Sequence, residues 1–259
     1  MLTATANAVW LITGDSSHWA DIDRRRAATL DIPVVVNPPR SGLFIARNDD
    51  ALTLHHGDAP RNDPGIRCAL ADFKTLSQRR AGGRQSPMAK AFGLHRHPPL
   101  SILDTTAGLA RDAATLAALG CSVTAIERQP VLYALLADAS QALDHVDAPP
   151  AWWPNWHTPI HDDAIRWLLD DDRTNVYDAI YIDPMFASPR RKSRPQKAMS
   201  WLAELAGTDN DAAELLNTAR RYAGRRVVVK QHARAKPLAV PDLSMEGRAI
   251  RFDIYLAAS

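Results

Sequence analysis

Residues 100–128 read LSILDTTAGLARDAATLAALGCSVTAIER, and this stretch decides the fold. The short apolar run at 101–103 suits a strand buried in a parallel sheet. Residues 112–119 are rich in Ala and Leu, which favour a helix, and Gly120 can end that helix as a C-terminal cap. Residues 122–126 contain enough β-branched side chains for a second strand. The stretch therefore predicts a strand–turn–helix–strand unit of an α/β protein.

The turn after the first strand consists of small and polar residues, from Asp104 to Gly108. Gly108 lets a ligand approach the backbone closely, and the helix that follows presents free N–H groups and the positive end of its dipole. Glu127 ends the second strand 19 residues after Gly108. This is close to the roughly 20-residue spacing at which a carboxylate meets ribose hydroxyls in nucleotide-binding units. A plain turn is the alternative interpretation of the glycine.

A dinucleotide site is a second interpretation of the same turn. The pattern G-x-G-x-x-G is absent, because Ala110 and Arg111 follow Gly108 where further glycines would fall. This weakens the case for a pyrophosphate, which needs more open backbone. It leaves room for a nucleoside ligand without phosphates, such as S-adenosylmethionine.

The bulk composition is that of a soluble globular protein. The 259 residues suffice for one large domain or a large and a small one, with 46% hydrophobic and 23% charged residues. The net charge of +2 is too small to indicate a nucleic-acid partner by itself. Cys68 and Cys121 are too far apart to suggest a disulfide framework or a metal set. Neither a signal peptide nor a membrane span is evident, so we expect a cytoplasmic protein.

The chain divides into three predicted parts: a small N-terminal α+β unit at 1–70, a basic connector at 71–99 and the main α/β domain at 100–259. Within the first part the pattern predicts two strands, a helix and a hairpin, at 9–13, 33–36, 17–30 and 42–55. His55 and His56 are adjacent on a strand and point to opposite faces, which favours surface positions over metal ligation.

Two basic stretches are candidates for RNA contact. The first surrounds Gly82 and Gly83 and is either a solvated connector or a loop that grips phosphates. The second, SPRRKSRPQK at 188–197, directly follows the strand-ending Asp-Pro turn at 183–184, a candidate catalytic turn that is described next. This position favours phosphate contact over a merely solvated face. The predicted RNA-binding residues are Arg79, Arg80, Arg84, Arg190, Arg191, Lys192 and Arg194.

The catalytic turn lies in YDAIYIDPMF, residues 177–186. A buried strand ends at Asp183, and ligands in open α/β sheets bind at the carboxyl ends of strands, so Asp183 should stand beside Gly108 and Glu127. Its carboxylate can accept a hydrogen bond from an exocyclic amine. Pro184 stiffens the turn, and the ring of Phe186 can cover a base. An ordinary strand-ending Asp-Pro turn is the alternative.

The remaining elements complete a known sheet pattern. A weak strand at 157–161 ends before Asp163, which either faces an adenine amine or caps a helix at 164–169. Helices at 131–143 and 212–223 and strands at 225–230 and 251–256 follow the same alternation. Five strands alternate with helices, and the last pair has no long helix between its members. This resembles the class I, Rossmann-like methyltransferase sheet, which is mostly parallel with an antiparallel last strand.

Seven stretches together resemble the ribosomal RNA small subunit methyltransferase J family, in the same order from about residue 70 to the C terminus. They are GGR at 82–84, AKAFG at 89–93, DTTAGLARDA at 104–113, ER at 127–128, YIDPMF at 181–186, RVVVK at 226–230 and RFDIY at 251–255. The resemblance implies an S-adenosylmethionine-dependent enzyme that methylates N2 of a guanosine in bacterial small-subunit (16S) ribosomal RNA. It implies ribosomal RNA or the 30S subunit as partner. From the sequence we expect no obligate protein partner and no need for a metal.

The resemblance also implies cofactor contacts for individual residues: Arg111, Asp112, Glu127, Arg128, Asp163, Ala164 and Asp183. The turn itself adds Asp104 and Gly108 as candidate cofactor residues. The chemistry of the Asp-Pro turn makes Asp183, Pro184 and Phe186 the candidates at the reaction. The sequence departs from the family at three places, with Thr105 in place of Ala, Ala110 in place of Gly, and acids at 162–163 where small or hydroxyl residues are common. The methyl group of Ala110 should tighten the cofactor loop without abolishing binding.

Two other functions stay open from the sequence. Asp-Pro-x-aromatic turns also serve exocyclic amines in enzymes that methylate adenine or DNA. A non-catalytic RNA-binding protein that keeps the methyltransferase fold is the other possibility. In the favoured interpretation Asp183 orients the amine and stabilises its developing positive charge, and Phe186 stacks on the extruded base. Whether Asp183 also takes the proton is left open.

Overall fold

A computed structural model describes residues 8–12, 18–48, 51–72, 83–170, 176–184, 197–207 and 210–257. Within these ranges the strands form one sheet of four strands and one of seven. No helix in the same ranges is both long and apolar enough to cross a bilayer.

The smaller sheet lies in the N-terminal part, in the order β2-β1-β3-β4. Its elements are β1 (Ala8–Leu11), α1 (His18–Thr29), β2 (Val34–Val35), β3 (Leu43–Asn48) and β4 (Ala51–His56). β1 pairs in parallel with β2 and β3, and β3 and β4 form the antiparallel hairpin. The predicted strands, helix and hairpin are confirmed, with ends shifted by at most two residues.

The larger sheet has the order β10-β11-β9-β8-β5-β6-β7. Its strands are β5 (Ser101–Asp104), β6 (Ser122–Glu127), β7 (Ile160–His161), β8 (Tyr177–Ile182), β9 (Ala223–His232), β10 (Leu243–Glu246) and β11 (Ile250–Leu256). Five consecutive strands of the sheet are parallel, namely β7, β6, β5, β8 and β9. β11 runs antiparallel to both of its neighbours, β9 and β10. The predicted sheet is confirmed, but β10 was not predicted and β7 is shorter than expected.

Helices cover both faces of this sheet. They are α2 (Pro87–Ala91), α3 (Arg111–Ala118), α4 (Pro130–Asp144), α5 (Ala164–Leu169), α6 (Lys197–Ala206) and α7 (Ala212–Tyr222). Alternate strand residues point to opposite faces, so Ile102 packs in one core with α3 and α4, and Leu103 packs in another with α5 and α7. Burial on both faces explains why the parallel strands read as continuous apolar runs.

A charged network joins the smaller sheet to α4. Arg47 Nη2 lies 2.7 Å from Asp23 Oδ1 and 2.6 Å from Asp138 Oδ1, and the backbone N–H of Leu52 donates to Asp138 Oδ2 at 2.9 Å. Asp23 and Asp138 are buried, so Arg47 supplies the opposite charge and hydrogen bonds that buried carboxylates require. The division of the chain at residues 70 and 99 stays a prediction.

Part of the predicted connector is packed structure. Ala89 and Ala91 of α2, together with Phe92 and Leu94, are almost completely buried. The ring of Phe92 lies 5.8 Å from that of Tyr181 on β8. This segment is therefore packed against the sheet instead of being solvated along its whole length.

Candidate active site

Four ionisable side chains stand on one face of the large sheet, at or just beyond the carboxyl ends of four neighbouring strands. They are Glu127 on β6, Asp104 on β5, Asp183 after β8 and Lys230 on β9. Side chains two positions apart lie on the same face of a strand. The residues two positions before these four all belong to one hydrophobic core, so the four side chains share a face of the sheet. Those core residues are Ala125, Ile102, Tyr181 and Val228. The predicted juxtaposition of the strand ends is thus observed, with Lys230 as an additional member.

Lys230 bridges two carboxylates from different elements. Its Nζ lies 2.7 Å from Asp112 Oδ2 in α3 and 2.8 Å from Asp183 Oδ2. Burial alone would lower the pKa of Lys230, but the charges and hydrogen bonds of Asp183 and Asp112 raise it overall. The ammonium therefore stays charged near neutral pH and fixes the helix and the turn to each other.

Tyr181, two residues before Asp183, also contacts Asp112. Its hydroxyl donates to Asp112 Oδ2 at 2.7 Å. Burial, and then the charges of Asp112 and Asp183, raise the pKa of Tyr181 well above its ordinary value, so the phenol remains a donor. Asp112 is therefore held by two donors, the phenol and the ammonium of Lys230.

Hydrogen bonds lock the turn after β5 to the turn after β8. The backbone N–H of Asp183 donates to Thr106 Oγ1 at 2.7 Å. Thr105 donates to the Tyr181 carbonyl twice, from Oγ1 at 2.7 Å and from its backbone N–H at 3.0 Å. The hydroxyl of Thr105 thus fills a structural role that an alanine could not. The backbone of Asp183 is preorganised by the turn it faces.

Glu127 organises the loop that begins α3. Its carboxylate accepts from the backbone N–H of Gly108 and from that of Gln129, both at 2.7 Å. Gly108 has φ +52°, and a Cβ placed there would meet no atom closer than 4.0 Å, so open space adjoins the loop. A carboxylate offers about four acceptor positions, and the two N–H bonds are compatible with further bonds from ribose hydroxyls.

Asp104 lies beneath the same loop and is buried. Burial raises the pKa of its carboxyl well above the ordinary value, and the nearby charges of Asp112 and Asp183 add to this, whereas the N–H of Thr106, 3.1 Å from Oδ1, opposes it. The neutral form of Asp104 is therefore favoured, and this side chain shapes the turn from inside the protein.

A family model described as Putative SAM-dependent methyltransferase matches residues 30–257. Ribosomal RNA small subunit methyltransferase J from Pseudoalteromonas atlantica is 37% identical over 84% of this chain and 86% of its own length. The protein of that name from Thioalkalivibrio sulfidiphilus is 40% identical over 89% and 91%. A crystal structure of a SAM-dependent methyltransferase from Neisseria gonorrhoeae covers 96% of both chains with a TM-score of 0.68 and 25% identity.

The chain belongs to the ribosomal RNA small subunit methyltransferase J family. It is an S-adenosylmethionine-dependent methyltransferase, and the order of the large sheet agrees with that class. The open space beside Gly108 and the acceptor carboxylate of Glu127 fit a nucleoside bearing ribose hydroxyls.

Four other predicted cofactor residues of this methyltransferase lie near the carboxyl edge of the large sheet, outside the cluster around Lys230. Arg128 Nη1 lies 2.5 Å from Asp211 Oδ2 and 3.8 Å from Asp163 Oδ2. Asp163 Oδ1 accepts from the backbone N–H of Arg166 at 3.0 Å, so the alternative interpretation of Asp163 as the cap of α5 is confirmed. Ala164 is buried as the first residue of α5. Their contacts with the cofactor stay predictions, as does that of Arg111, which is exposed at the start of α3.

Several predicted residues of the methyltransferase lie outside the described ranges. They are Phe186, Arg79, Arg80, Arg190, Arg191, Lys192 and Arg194. Arg84 is described, and its guanidinium donates to the carbonyl of His97, which precedes β5. Arg84 thus stands at the amino edge of the large sheet, away from the carboxylates of the active site. Its contact with RNA stays a prediction.

Sequence reasoning missed Lys230, Thr106 and Tyr181. Lys230 carried one signal, a charged residue that ends the buried strand RRVVVK where a ligand site is expected. Its partner Asp183 is 47 positions away in the sequence, and Asp112 is 118 positions away, so spacing gave no hint of the bridge. No three His, Cys, Asp or Glu side chains in the described part of the chain are grouped to hold a metal ion.

Proposed function

We propose that this protein transfers the methyl group of S-adenosylmethionine to the exocyclic N2 of a guanosine in bacterial small-subunit (16S) ribosomal RNA. The observation that carries the proposal is the position of Asp183, which is locked by Thr106 to the turn that leads to Gly108 and Glu127. An acceptor for an amine beside the loop suited to the cofactor supports the proposal. The names of the curated relatives support small-subunit ribosomal RNA as the substrate.

The reaction requires accurate positioning, because the lone pair of the guanine amine is delocalised into the ring and the nitrogen is a poor nucleophile. S-adenosylmethionine supplies an electrophilic methyl group when it is bound. The protein must hold the amine in line with that group, and such positioning supplies a large part of the rate. Asp183 accepts an N–H bond, orients the nitrogen and stabilises its developing positive charge.

The neighbours of Asp183 support this role. Lys230 holds Oδ2, the side chain of Thr106 holds the backbone N–H, and Pro184 restricts the turn. A carboxylate fixed in this way loses little freedom when the amine arrives, so its electrostatic effect is preorganised. Phe186 follows in the sequence, and we assign it the stacking contact with the extruded base.

The cofactor is held mainly by the loop between β5 and α3 and by the end of β6. We assign the ribose hydroxyls to Glu127 and the amino-acid portion to the turn at Asp104 and the N-terminal residues Arg111 and Asp112 of α3. Arg128, Asp163 and Ala164 would border the base. The partner is ribosomal RNA or the 30S subunit, and we place the reaction in the cytoplasm, where that substrate is found.

The experiment that tests the function is a comparison of ribosomal RNA from a strain with and without the gene. Nucleosides of the small-subunit RNA are separated and identified by mass spectrometry, and the modified position is mapped. Loss of one N2-methylguanosine in the deletion strain, restored by the wild-type gene, is the expected result. Loss of a methyladenine, or of a methyl group from DNA, would assign the enzyme to another substrate. An unchanged RNA, with intact S-adenosylmethionine binding, would contradict the proposal.

A further inference from the structure

A set of basic side chains lies at the amino edge of the large sheet, opposite the active site. We call it the basic rim, and it consists of Arg84, Lys90, Arg96, Arg225 and Arg226. Arg225 and Arg226 stand near the start of β9, whereas Lys230 of the active site stands near its end. Lys90 belongs to α2, and Arg96 lies in the segment that leads into β5.

Contacts with the backbone hold the rim together. The guanidinium of Arg84 donates to the carbonyl of His97, and Arg226 Nη1 donates to that of Ala91 at 3.2 Å. The segment between them is a tight turn, in which the N–H groups of Arg96 and His97 both donate to the Gly93 carbonyl at 3.1 Å. The guanidinium groups of Arg84 and Arg226 are therefore held by the backbone, and Lys90 and Arg96 lie on the same packed segment.

The rim carries a surplus of positive charge. Asp178 is paired with Arg225, with Oδ1 3.0 Å from Nε. The five positive charges of the rim and the one negative charge of Asp178 therefore give a local net charge that is larger than the net charge of +2 of the whole chain. Partial burial and the charges of Arg96 and Lys90 lower the pKa of His95 in their midst, as expected for a group surrounded by cations. Arg84, Arg96 and Arg225 are exposed, so these guanidinium groups can reach a ligand in solvent.

We propose that the basic rim binds the sugar-phosphate backbone of the substrate RNA at a point remote from the methylated nucleotide. This inference rests on the proposed function. Arginine and lysine on a fixed surface suit phosphate oxygens, and such contacts position an RNA without reading its sequence. β8 has six residues, which at ~3.3 Å per residue separate the two edges of the sheet by about 20 Å. A structured RNA helix is longer than this distance, so one RNA can contact both edges.

The test compares RNA binding by the wild type with that of the triple variant Arg84→Gln, Lys90→Gln, Arg96→Gln. Binding of a small-subunit RNA fragment that is long enough to reach both edges is measured over a series of salt concentrations. We expect the variant to bind about tenfold more weakly or worse, and its salt slope to fall by about 2 to 3, close to one for each lost phosphate contact. S-adenosylmethionine affinity and the rate at saturating RNA should not change.

Two control proteins make the result specific. The triple variant Arg25→Gln, Arg40→Gln, Arg61→Gln removes the same charge from exposed positions on the N-terminal part and should retain nearly wild-type RNA affinity. The double variant Arg84→Lys, Arg96→Lys keeps the charge and should do the same. A fragment too short to leave the active site should bind the wild type and the rim variant equally.

An unchanged salt slope in a folded rim variant would overturn the inference. Equal weakening by the control triple variant would overturn it as well, because the effect would then follow net charge alone. Failure of the proposed function gives a different result. In that case the wild type would transfer no methyl group to small-subunit RNA, whether or not the rim binds phosphates.

Discussion

The ammonium of Lys230 lies 2.8 Å from Asp183 Oδ2, so the turn after β8 is bound to the neighbouring strand β9. The same Nζ lies 2.7 Å from Asp112 in the first turn of α3. A single cation thereby connects the helix next to the cofactor loop with the carboxylate assigned to the target amine. We assign Lys230 as a positioning residue, since it acts on the reaction through Asp183 and Asp112.

Lys230→Met should reduce both stability and turnover, because it leaves two half-buried carboxylates without their shared cation. Hydrogen bonds to charged groups contribute about 1.5–3 kcal/mol each, so the free energy of unfolding should fall by at least about 1.5 kcal/mol. Lys230→Arg keeps the charge and should recover part of both. Urea denaturation and single-turnover methyl transfer at saturating substrates measure the two effects. Unchanged values for both in Lys230→Met would remove Lys230 from this role.

Glu127→Ala should weaken S-adenosylmethionine binding at least about tenfold, since it removes an acceptor for two ribose hydroxyls. It also releases the N–H groups of Gly108 and Gln129, so the loop should lose order in the absence of the cofactor. Calorimetry with S-adenosylmethionine measures the affinity. Glu246→Ala, which removes an exposed carboxylate from β10, is the matched control and should leave it unchanged. Equal affinities for both variants would count against the contact.

Asp104→Asn should become increasingly stable relative to the wild type as the pH rises. The folded pKa of Asp104 is raised above its ordinary value of 3.8, so its contribution to stability is complete below pH ~4 and is lost as the pH rises through the folded pKa. Asparagine keeps the oxygen that accepts from the Thr106 N–H and carries no charge. The difference in unfolding free energy between variant and wild type should therefore grow with pH. Denaturation curves at several pH values measure it, and a constant difference would contradict the assignment.

Ala110→Gly should cost less stability than Ala113→Gly, although both alanines are completely buried. Ala110 has φ +57°, a left-handed conformation that costs an L-residue roughly 1–2 kcal/mol and glycine almost nothing. The relief offsets the loss of its methyl contacts. Ala113 lies within α3, where glycine loses contacts and is also a poorer helix former by about 1 kcal/mol. Thermal denaturation of the two variants gives the comparison, and equal losses would show that the left-handed residue is unstrained.

The central βαβ unit could be predicted from sequence because its signals are local. The apolar run of β5, the Ala-rich α3 and Gly120 with φ +97° each act within a few residues. β10 was missed because it is a short edge strand, and three of its four side chains are exposed. It therefore lacks the apolar pattern by which buried strands are found.

The site could be predicted only where strand ends determine it. Asp183 and Glu127 follow apolar strands, and the topology of the sheet brings them together. The bridge from Lys230 to Asp112 depends on packing between α3 and β9, which no short pattern encodes. The two interpretations of Asp163 were equivalent in sequence, and the bond to the N–H of Arg166 distinguished its capping role.

The most direct test of the account is single-turnover methyl transfer to small-subunit RNA by the wild type and Asp183→Asn. S-adenosylmethionine and RNA must be saturating, and N2-methylguanosine is quantified by mass spectrometry. Asparagine keeps the size and one acceptor oxygen but removes the charge, which matters most when the amine becomes cationic. We expect N2-methylguanosine from the wild type and a rate about 10²–10³-fold lower in the variant, with RNA affinity nearly retained. A near wild-type rate in Asp183→Asn would contradict it.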